Sequence, residues 1–557
     1  MYIIGVSAFY HDSSACLFKD GRLLFACEEE KFTGIKHDSS FPSKTIEYIF
    51  KHYRLTKEDI DCVCYYEDPK LRYNRKNGYL KTFFYNLRVR YNLNKISSKQ
   101  YYTPHHLSHM MYTFASSKFS NATIVSIDGV GETATMSIGI GTHSNVEQIK
   151  TVEYPHSLGL FYSAMTAYLG FKPNEGEYKV MGLASYGNPS KYISNIRELV
   201  SYENNQIKCD MHVFCWDRSN KTMFNENMGY KLPVEQRLPN EEITQEHKDI
   251  AAAVQLRYEE IFFKILDEAK RLFDSDNLCL GGGCAYNGKA NGQVTTKTKF
   301  KNLWIPPAPS DAGSAIGSCL YYLNNEHKMG VRIMTNPFLG PRYNNNQILK
   351  EIKKTKGIIY KEQYTHRLLT RVAEFINNGL VVGWYQGKIE FGARALGNRS
   401  ILANPTLPHM KDKINKVIKK REGFRPFAPM VTFNEQGKYF NSKEFIPYMN
   451  QVVDVVEEYR DKLPAITHID GTARVQSITQ HNPMHQLLRE FEKLSGFPIL
   501  LNTSFNVKDK TMVLTPKDAL DTFLDTEMDV LVLNNYIVLK ANDEKNLQMV
   551  SKKNRGN

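Results

Sequence analysis

The chain opens with short apolar runs separated by turn-forming residues. Residues 2–7 are almost continuously apolar, which predicts a buried β-strand. Residues 14–18 and 22–27 predict two further strands, and the Asp20-Gly21 pair between them predicts the turn of a β-hairpin. The first 27 residues therefore predict a small sheet.

The same order of elements returns about a hundred residues later. Residues 122–127 predict an apolar strand, Asp128-Gly129 a turn, and residues 133–141 another strand. Each strand–turn–strand unit is followed by helical stretches. Two such units predict two related lobes, a pattern typical of the actin-like ATPase (ASKHA) architecture, in which paired hairpins face one nucleotide cleft.

A glycine triplet follows a third apolar segment. The short strand predicted at 278–280 is followed by Gly281, Gly282 and Gly283, and Asn287 precedes a predicted helix. Glycines at such a position let backbone N–H groups approach a phosphate or ribose, and a crowded turn is the alternative. The composition changes again around 337–343, so we predict a domain boundary near residue 340.

Composition and charge limit the class of protein. The chain has 557 residues, of which 42% are hydrophobic, so it is long enough for two or three domains and is not disordered. Lys and Arg number 72 against 59 Asp and Glu, a net charge of +13. This surplus favours polyanionic partners such as nucleic acid or nucleotides, and a generally Lys-rich proteome explains it equally well.

The cysteine pattern and the apolar segments exclude further classes of protein. Nine scattered cysteines, without CxxC pairs, fit neither a disulfide scaffold nor a zinc knuckle. The sequence shows no signal peptide and no apolar stretch long enough to span a membrane. We therefore expect a reduced, cytoplasmic protein without a membrane partner, whose oligomeric state is open, a homodimer included.

A His-x-x-x-His pattern is the first candidate for chemistry. His105 and His109 are four residues apart, which places both imidazoles on one face of a helix. Asp128 at the second acidic turn and Asp311 after a Pro-rich segment are candidate carboxylate ligands. Two His and two Asp suit Fe²⁺, Mn²⁺ or Mg²⁺ better than a structural zinc. Two ordinary helical histidines are the simpler interpretation unless the carboxylates converge.

Four segments of the C-terminal half concentrate cations among Gly, Pro, Ser and Asn. Arg and Lys together with hydroxyl and amide groups are typical of a phosphate-binding pocket. The alternative for any one segment is a solvated charged surface, which four segments together make less plausible. The candidate ligands for phosphates are Lys388, Arg394, Arg399, Lys419, Arg425, His468, Arg474, Asn502 and Ser504.

A basic and aromatic stretch runs from Lys70 to Lys99. It holds nine cations, no acidic residue, and interleaved Tyr and Phe residues. Such a stretch is typical of nucleic-acid contacts, through phosphates and stacked bases. The alternative is an amphipathic helix that has its Phe and Tyr residues in the core and a basic face in solvent.

Ten blocks of the sequence resemble the NodU/CmcH-type O-carbamoyltransferase family over nearly the whole chain. In chain order the blocks are GVSAFYHDSSACLFKDGRLLFACEEEKF, HHLSHMMYTFASS, SIDGVGE, YPHSLGLFYSAMTAYLGFKPNEGEYKVMGLASYG, LCLGGGCAYNGKANG, PPAPSDAGSAIGS, EFGARALGNRSIL, REGFRPFAP, LPAITHIDGTARVQ and LLNTSFN.

The resemblance implies an α/β protein with two domains. An actin-like, two-lobed carbamoyl-transfer domain is expected at 1–340, and a YrdC-like domain that forms carbamoyl-adenylate is expected at 341–557. In the family, carbamoyl phosphate and ATP (with Mg²⁺) give carbamoyl-adenylate, and an acceptor hydroxyl then takes the carbamoyl group. The family's iron-type divalent metal is bound by positions that match His105, His109, Asp128 and Asp311.

Further roles follow from the resemblance and from the chemistry. Deprotonation of the acceptor requires a base, for which His11 beside Asp12 is the candidate. Lys179 and the Gly281–Gly283 loop are expected to hold the nucleotide, with Asn287 beside them. The sequence departs from the family at Gly34, where the family has Arg, which affects the expected acceptor contacts.

The acceptor is predicted from the basic and aromatic stretch and from a basic tail with Lys552, Lys553 and Arg555. The basic stretch favours a hydroxyl of a 5-hydroxymethylpyrimidine in DNA, 5-hydroxymethylcytosine in particular. The alternative is a hydroxyl of a sugar or another small natural product. A non-catalytic nucleic-acid scaffold is disfavoured because the site motifs are intact, and a tRNA threonylcarbamoyl-adenylate enzyme because the blocks are specific to the carbamoyltransferases.

Overall fold

The computed structural model describes residues 1–71, 78–219, 221–333 and 336–541. The chain divides into two compact units of mixed α/β structure. The first unit comprises Met1–Thr33 and His37–Asn336, and the second comprises Gly34–Lys36 and the residues from Pro337 onward. Each unit has its own sheets and its own hydrophobic core.

The first unit begins with a five-stranded sheet. Its strands are β1 (Tyr2–Ser7), β2 (Ser14–Lys19), β3 (Arg22–Glu28), β4 (Ile60–Tyr65) and β5 (Gln100–Tyr102). The spatial order is β3-β2-β1-β4-β5. The β1–β2 and β2–β3 pairs are antiparallel, and the β1–β4 and β4–β5 pairs are parallel.

A second sheet of the same topology follows in the chain. The next strands are β6 (Asn121–Ile127), β7 (Ala134–Thr142), β8 (Asn145–Glu153), the separate hairpin β9 (Val200–Glu203) and β10 (Gln206–Cys209), then β11 (Asn277–Gly281) and β12 (Asn302–Trp304). The order β12-β11-β6-β7-β8 repeats the first sheet, with β6 in the place of β1. Antiparallel and parallel pairs also recur at the same places.

Burial explains why these strands could be predicted from the sequence. The central strands β1 and β6 are covered on both faces, so their residues form continuous apolar runs. The edge strand β8 instead alternates exposed and half-buried residues. The connection from β1 to β2 and that from β6 to β7 both span six residues (8–13 and 128–133). The two lobes predicted from the sequence are therefore confirmed.

Twelve helices of the first unit lie within the described residues. They are α1 (Glu30–Thr33), α2 (Ser43–Tyr53), α3 (Gly78–Leu93), α4 (His105–Ser116), α5 (Leu158–Tyr168), α6 (Glu177–Leu183), α7 (Ile193–Leu199), α8 (Met228–Lys231), α9 (Gln245–Leu272), α10 (Gly288–Asn291), α11 (Val294–Lys297) and α12 (Asp311–His327). Helix α4 follows the first sheet but packs on the second, and α12 follows the second sheet but packs on the first.

Helices α4 and α12 approach each other closely where they cross. A Cβ atom on Gly317 would lie 1.8 Å from the backbone oxygen of Ser108, so only glycine fits there. Helix α12 begins at Asp311, so Asp311 lies in the first turn of α12, as His105 lies in the first turn of α4.

The second unit is built on an eight-stranded mixed sheet. The strands of this unit are β13 (Phe338–Arg342), β14 (Ile358–Glu362), β15 (Val382–Tyr385), β16 (Lys388–Glu390), β17 (Arg399–Ala403), β18 (Ala428–Thr432), β19 (Val452–Asp454), β20 (Thr472–Arg474), β21 (Gln476–Ile478), β22 (Ile499–Ser504), β23 (Val530–Leu533) and β24 (Tyr536–Lys540). The main sheet has the order β14-β24-β23-β15-β17-β22-β18-β21. The pairs β13–β16 and β19–β20 form two small sheets.

Both faces of the main sheet are covered by hydrophobic cores. Val382 and Trp384 of β15 pack in one core, and Tyr385 packs in the other. The helices of the unit are α13 (Asn345–Lys354), α14 (Thr365–Asn377), α15 (Met410–Asp412), α16 (Phe433–Tyr439), α17 (Met484–Ser495) and α18 (Pro516–Leu524), and a π-helical turn spans Lys413–Ile418. The predicted α/β fold class is confirmed for both units.

Within the four described ranges, every helix is too short or too polar to cross a bilayer.

Candidate active site

Four side chains from three elements converge in the interior of the first unit. His105 and His109 project from α4, Asp128 follows β6, and Asp311 begins α12. One potential ligand atom from each residue lies within 4.8 Å of all the others, and all four residues are buried. The convergence that the sequence left open is therefore present in the structure.

The contacts among these four side chains are short. His105 Nε2 lies 3.0 Å from His109 Nε2 and 3.0 Å from Asp128 Oδ2. His109 Nε2 lies 3.3 Å from Asp128 Oδ2, and Asp311 Oδ1 lies 3.5 Å from His105 Nε2 and 3.4 Å from His109 Nε2. Two nitrogens and two carboxylate oxygens thus face one point.

Hydrogen bonds from neighbouring residues orient these ligand atoms toward that point. Oδ1 of Asp128 accepts hydrogen bonds from the backbone N–H groups of Gly129 and Gly283, so Oδ2 faces the histidines. Ser314 Oγ lies 3.0 Å from Nδ1 of His109 and orients its ring. Both carboxylate oxygens of Asp311 are buried without a hydrogen-bond partner among the described residues. Such a carboxylate calls for a cation, and the donor set fits a divalent metal.

Charge within the cluster shifts the protonation equilibria. Burial disfavours a charged His105 ring, but Asp311 and the hydrogen-bonded Asp128 outweigh burial and raise the pKa of His105 to about 9. Burial would likewise raise the pKa of Asp128, but hydrogen bonds from His105 and His109 hold it well below its usual range. The carboxylate of Asp128 is therefore ionised and attracts positive charge.

Glu132 anchors the helix that carries the histidines, a role that the sequence analysis missed. Its carboxylate accepts hydrogen bonds from the backbone N–H groups of His105 (2.9 Å) and Asp68 (2.8 Å). A carboxylate at this position is favoured by the helix dipole. Gly131 provides room for the ring, because a Cβ atom there would lie 2.8 Å from Cδ2 of His105.

His11 and Asp12 lie beside the cluster on the β1–β2 connection. His11 Nε2 is 3.9 Å from Asp311 Oδ2, and His11 Nδ1 is 3.1 Å from Asp12 Oδ2. Asp12 also binds His37 Nδ1 at 2.6 Å. Burial opposes protonation of His11, but Asp311 and the hydrogen bond to Asp12 outweigh it and raise the pKa of His11 to about 10. His37 was missed because no local pattern links it to a residue 25 positions away.

The glycine loop adjoins the same cluster. Gly282 has a φ of 82°, and a Cβ atom there would lie 2.2 Å from the backbone oxygen of Ile127. A Cβ atom on Gly283 would lie 2.9 Å from Oδ1 of Asp128. Gly281 ends β11, a short 3₁₀ turn follows, and Asn287 precedes the short helix α10, as predicted. The loop backbone is thus held directly against one of the candidate ligands.

The other two residues predicted to hold the nucleotide lie on nearby elements of the same unit. The side chain of Asn287 accepts a hydrogen bond from the backbone N–H of Ala290 and exchanges hydrogen bonds with the buried Gln255, which the sequence analysis missed. Lys179 is half-buried in α6, with Nζ 5.4 Å from the centroid of the Phe171 ring.

Lys419 is the centre of the candidate phosphate site in the second unit. Its buried Nζ donates hydrogen bonds to the backbone oxygen of Ser504 (2.6 Å), to Ser504 Oγ (3.1 Å) and to Asn506 Oδ1 (2.7 Å). Burial lowers its pKa well below the usual value, and the cations Arg421, Lys36 and Arg425 add to this effect. Asn506 and Lys36 were not predicted.

The remaining predicted residues of this unit fall into two groups. Arg399 is fully buried and donates hydrogen bonds to the backbone oxygens of Gln386, Gly387 and Asn398, so it supports its own loop. Asn502 similarly donates to Ala395 and Gln476. Both residues are therefore engaged in packing rather than directed outward.

The other predicted residues of this unit lie close to further charged side chains. Burial lowers the pKa of His468 to about 4, Asp470 opposes the shift, and Arg474 adds to it. Arg425 forms an ion pair with Glu422 (2.9 Å). The last two predicted residues are Lys388 on β16, whose pKa is lowered by burial and by Arg342, and Arg394, which lies on the loop between β16 and β17.

The basic and aromatic stretch is only partly described. Its residues Arg72, Arg75 and Lys76, and the tail residues Lys552, Lys553 and Arg555, lie outside the described residues. The aromatic side chains of this stretch that are described all belong to helix α3. Phe83, Phe84 and Tyr91 are exposed, so the interpretation that the Phe and Tyr residues of this stretch fill the core is wrong for these three.

The repeated sheets, the crossed helices and the buried cluster define an actin-like, two-lobed unit, which is followed by a second α/β unit. The chain belongs to the carbamoyltransferase family. The model of the carbamoyltransferase N-terminus matches residues 2–83 and 72–320, and the model of the carbamoyltransferase C-terminus matches residues 373–540. The predicted family is therefore confirmed, and the chain is a transferase.

Known relatives match over most of their length. The chain is 38% identical to the uncharacterized protein sll1178 of Synechocystis sp. (97% of each chain) and 33% identical to the nodulation protein NolNO of Sinorhizobium fredii (96% of this chain, 80% of the relative). Its structure is similar to component A of the Acidaminococcus fermentans (R)-2-hydroxyglutaryl-CoA dehydratase, with 17% identity and a TM-score of 0.32 over 58% of this chain and 97% of the other. It is also similar to HypF of T. kodakarensis, with 13% identity and a TM-score of 0.33 over 60% of this chain and 49% of the other.

Proposed function

We propose that this carbamoyltransferase acts in two steps at two separate sites. In the second unit, water converts carbamoyl phosphate to carbamate and phosphate, and the carbamate then attacks the α-phosphorus of ATP. The products are carbamoyl-adenylate and pyrophosphate. In the first unit, an acceptor hydroxyl attacks the carbamoyl carbon, AMP leaves, and an O-carbamate forms.

The group around Lys419 supports the assignment of the first step. Both substrates carry phosphates, and a buried ammonium flanked by Arg421 and Arg425 supplies the positive charge that such ligands need. A bound phosphate would offset the burial and the neighbouring cations that lower the pKa of Lys419, and would thereby favour its charged form. His468 and Arg474 lie in the same unit and are proposed to complete the site.

The cluster of two histidines and two aspartates carries the assignment of the second step. A divalent metal held by His105, His109, Asp128 and Asp311 would supply positive charge to a phosphate or carbonyl oxygen of the adenylate. Gly283 links the glycine loop to Asp128, so a nucleotide phosphate bound along the loop backbone would lie next to the cluster. Lys179 and Asn287 are proposed to hold the rest of the nucleotide.

His11 is proposed to take the proton of the acceptor hydroxyl. Asp12 holds Nδ1, so Nε2 is the atom available for proton transfer. The carboxylate of Asp311 is the main cause of the raised pKa of His11. Once that carboxylate is engaged by a cation, its charge no longer favours the protonated ring, and the neutral ring can accept a proton.

Release of pyrophosphate tests the first step. Lys419→Met should reduce pyrophosphate formation from ATP and carbamoyl phosphate by roughly a hundredfold or more, because it removes a buried charge that meets a phosphate. Lys416→Gln is the matched control, since its side chain is exposed and pairs with Asp412. Undiminished pyrophosphate release by the Lys419 variant would contradict the assignment.

Two acceptors follow from the sequence, a 5-hydroxymethylcytosine in DNA and a hydroxyl of a sugar or other small molecule. Affinity for DNA depends on cations that reach phosphates. The exposed centre of α3 is instead apolar, with Leu80, Phe84, Leu87 and Tyr91 pointing to solvent. This supports the small hydroxylated acceptor, and DNA is the competing proposal.

One assay separates these acceptors. The protein, ATP and carbamoyl phosphate are incubated with 5-hydroxymethylcytosine DNA or with a panel of glycosides, and the products are analysed by mass spectrometry. We expect a carbamoyl mass increment on a glycoside and none on the DNA. An increment on the nucleoside alone would reverse the choice of acceptor and leave the two-step reaction intact.

A further inference from the structure

Helix α3 has two apolar faces, and the described residues of the first unit cover one of them and leave the other exposed. Thr82, Val89 and Leu93 are buried and attach the helix to the first unit. The opposite face bears Leu80, Phe84, Leu87 and Tyr91, spaced by four, three and four residues. At 3.6 residues per turn, this spacing aligns the four side chains in a single row about 16 Å long.

The uncovered row is strongly exposed. The exposed fractions are 68% for Leu80, 65% for Phe84, 47% for Leu87 and 69% for Tyr91, with Phe83 beside them at 47%. A soluble surface carries isolated apolar side chains, but a contiguous row of large ones marks an interaction site. The covering partner must therefore be largely apolar where it meets this row.

Cations border the row on both sides. On a helical projection, Lys81 and Arg88 follow one edge of the row and Arg90 lies on the other. Just after the helix, Nζ of Lys95 lies 4.4 Å from the centroid of the Tyr91 ring. No acidic residue occurs between positions 69 and 99. The complementary partner is therefore both apolar and anionic, which disfavours a second copy of α3, since it would bring the same cations.

We propose that the exposed face of α3 docks onto an anionic lipid surface. Leu and Phe side chains on the central line, with Lys and Arg on its borders, match a helix that lies in the plane of a membrane interface. The bordering cations could bind the phosphates of a nucleic acid, but such a ligand would leave the two exposed leucines in solvent. The inference reverses the expectation that the protein has no membrane partner.

The position of α3 links this surface to the candidate active site. The guanidinium of Arg88 lies 4.1 Å from the centroid of the Phe9 ring, and Tyr85 meets Phe9 edge to face. Phe9 belongs to the same six-residue connection as His11 and Asp12. If the proposed transfer takes place beside this connection, docking by α3 brings the lipid surface next to it. This link rests on the proposed function, whereas the docking itself does not.

Vesicle binding by the full-length protein tests the proposal. Co-sedimentation is measured with vesicles of phosphatidylcholine alone and of phosphatidylcholine mixed with phosphatidylserine, at low and at physiological salt. We expect binding to the anionic vesicles and much weaker binding to the neutral ones. No ATP, carbamoyl phosphate or acceptor is present, so the outcome is independent of the proposed reaction.

Two sets of substitutions separate the apolar and the charged contributions. Leu80→Gln with Leu87→Gln keeps good helix formers and should weaken binding by on the order of a hundredfold. Lys81→Gln, Arg90→Gln and Lys95→Gln should weaken binding to anionic vesicles by about fivefold per cation and leave neutral vesicles unaffected. Arg88 is left unchanged because it packs on Phe9.

Matched controls replace exposed aromatic side chains elsewhere. Tyr230→Gln and Tyr364→Gln alter residues that are 88% and 85% exposed, and they should bind vesicles as the unaltered protein does. Circular dichroism and the thermal unfolding midpoint are measured for every variant. A variant that loses vesicle binding but keeps the spectrum and the midpoint of the unaltered protein is folded.

Several outcomes would overturn the proposal. One is that the unaltered protein fails to bind phosphatidylserine vesicles at low salt, and another is that the double leucine variant still binds them. Binding to duplex DNA that depends on the cations but not on the leucines would identify a nucleic-acid surface instead. A dimer in the absence of lipid that the leucine substitutions dissociate would identify an interface between two copies.

Discussion

At the scale of single residues, Asp311 is a carboxylic acid side chain placed in the interior of the first unit. Its side chain is fully buried, its oxygens lack hydrogen-bond partners among the described residues, and it faces both histidines and His11. The sequence pattern identified it as a ligand candidate, since an acidic residue after a Pro-rich turn is unusual in a core. Its partners His37 and Glu132 were not predicted, because no local spacing connects them to the site.

Asp311→Asn should remove bound metal and abolish carbamoyl transfer while pyrophosphate release continues. The amide keeps the shape of the side chain but removes the negative charge that attracts a cation. Metal content is measured by plasma mass spectrometry after purification and compared with that of Asp274→Asn, whose side chain is exposed. Full metal occupancy in the Asp311 variant would refute the ligand assignment.

A second prediction at this scale concerns pH. The pKa of His468 is about 4 in the folded chain against 6.5 normally, so the unfolded chain binds the proton more tightly between these values. The free energy of unfolding should therefore fall by up to about 3 kcal/mol as the pH drops through this window, and His468 should have no effect above it.

His468→Gln should flatten this pH dependence. The measurement is the thermal unfolding midpoint of the ligand-free protein at a series of pH values from 4 to 7.5, which brackets the window. His481→Gln, at an exposed position, serves as the control and should leave the dependence unchanged. An identical slope in the unaltered protein and the His468 variant would show that this ring is not the cause.

At the scale of elements, the crossing of α4 and α12 decides whether the four ligands meet. His105 and His109 come from one helix and Asp311 from the other, and the helices touch at Gly317 and Ser108. The sequence predicted the helix of His105 and His109 but not its crossing with α12. A glycine has no side chain whose pattern could indicate a close helix contact, so the sequence does not distinguish Gly317 from the other glycines as the point of crossing.

Gly317→Ala should push these helices apart. The new Cβ atom would lie 1.8 Å from a backbone oxygen, so the free energy of unfolding should drop by about 1–3 kcal/mol and metal affinity should fall with it. Calorimetry and metal titration measure the two effects. Gly229→Ala, where an added Cβ atom meets nothing within 4 Å, should change neither, and equal behaviour of the two variants would exclude strain at the crossing.

At the scale of the whole molecule, the repeated pattern of strands and turns was the most reliable signal. Strands β1 and β6 were predicted almost to the residue, because burial on both faces leaves an apolar run that few other structures produce. The cations of the second unit were less informative. Lys419 and Arg399 look alike in the sequence. In the structure both donate to protein oxygens, but Lys419 lies among other cations, whereas Arg399 donates to backbone oxygens of its own loop. The sequence does not reveal this difference, because it depends on residues that are distant in the chain.

The matching order of the two sheets has an evolutionary consequence. Such a repeat is what duplication and fusion of one ancestral gene would leave, with α4 and α12 as equivalent helices and residues 8–13 and 128–133 as equivalent connections. In a dimer of identical ancestors, symmetry would set a second histidine opposite His105. In the present chain the two equivalent helix starts differ, with His105 at one and Asp311 at the other. Fusion of the two halves into one chain would permit this difference, because each half can then change without the other.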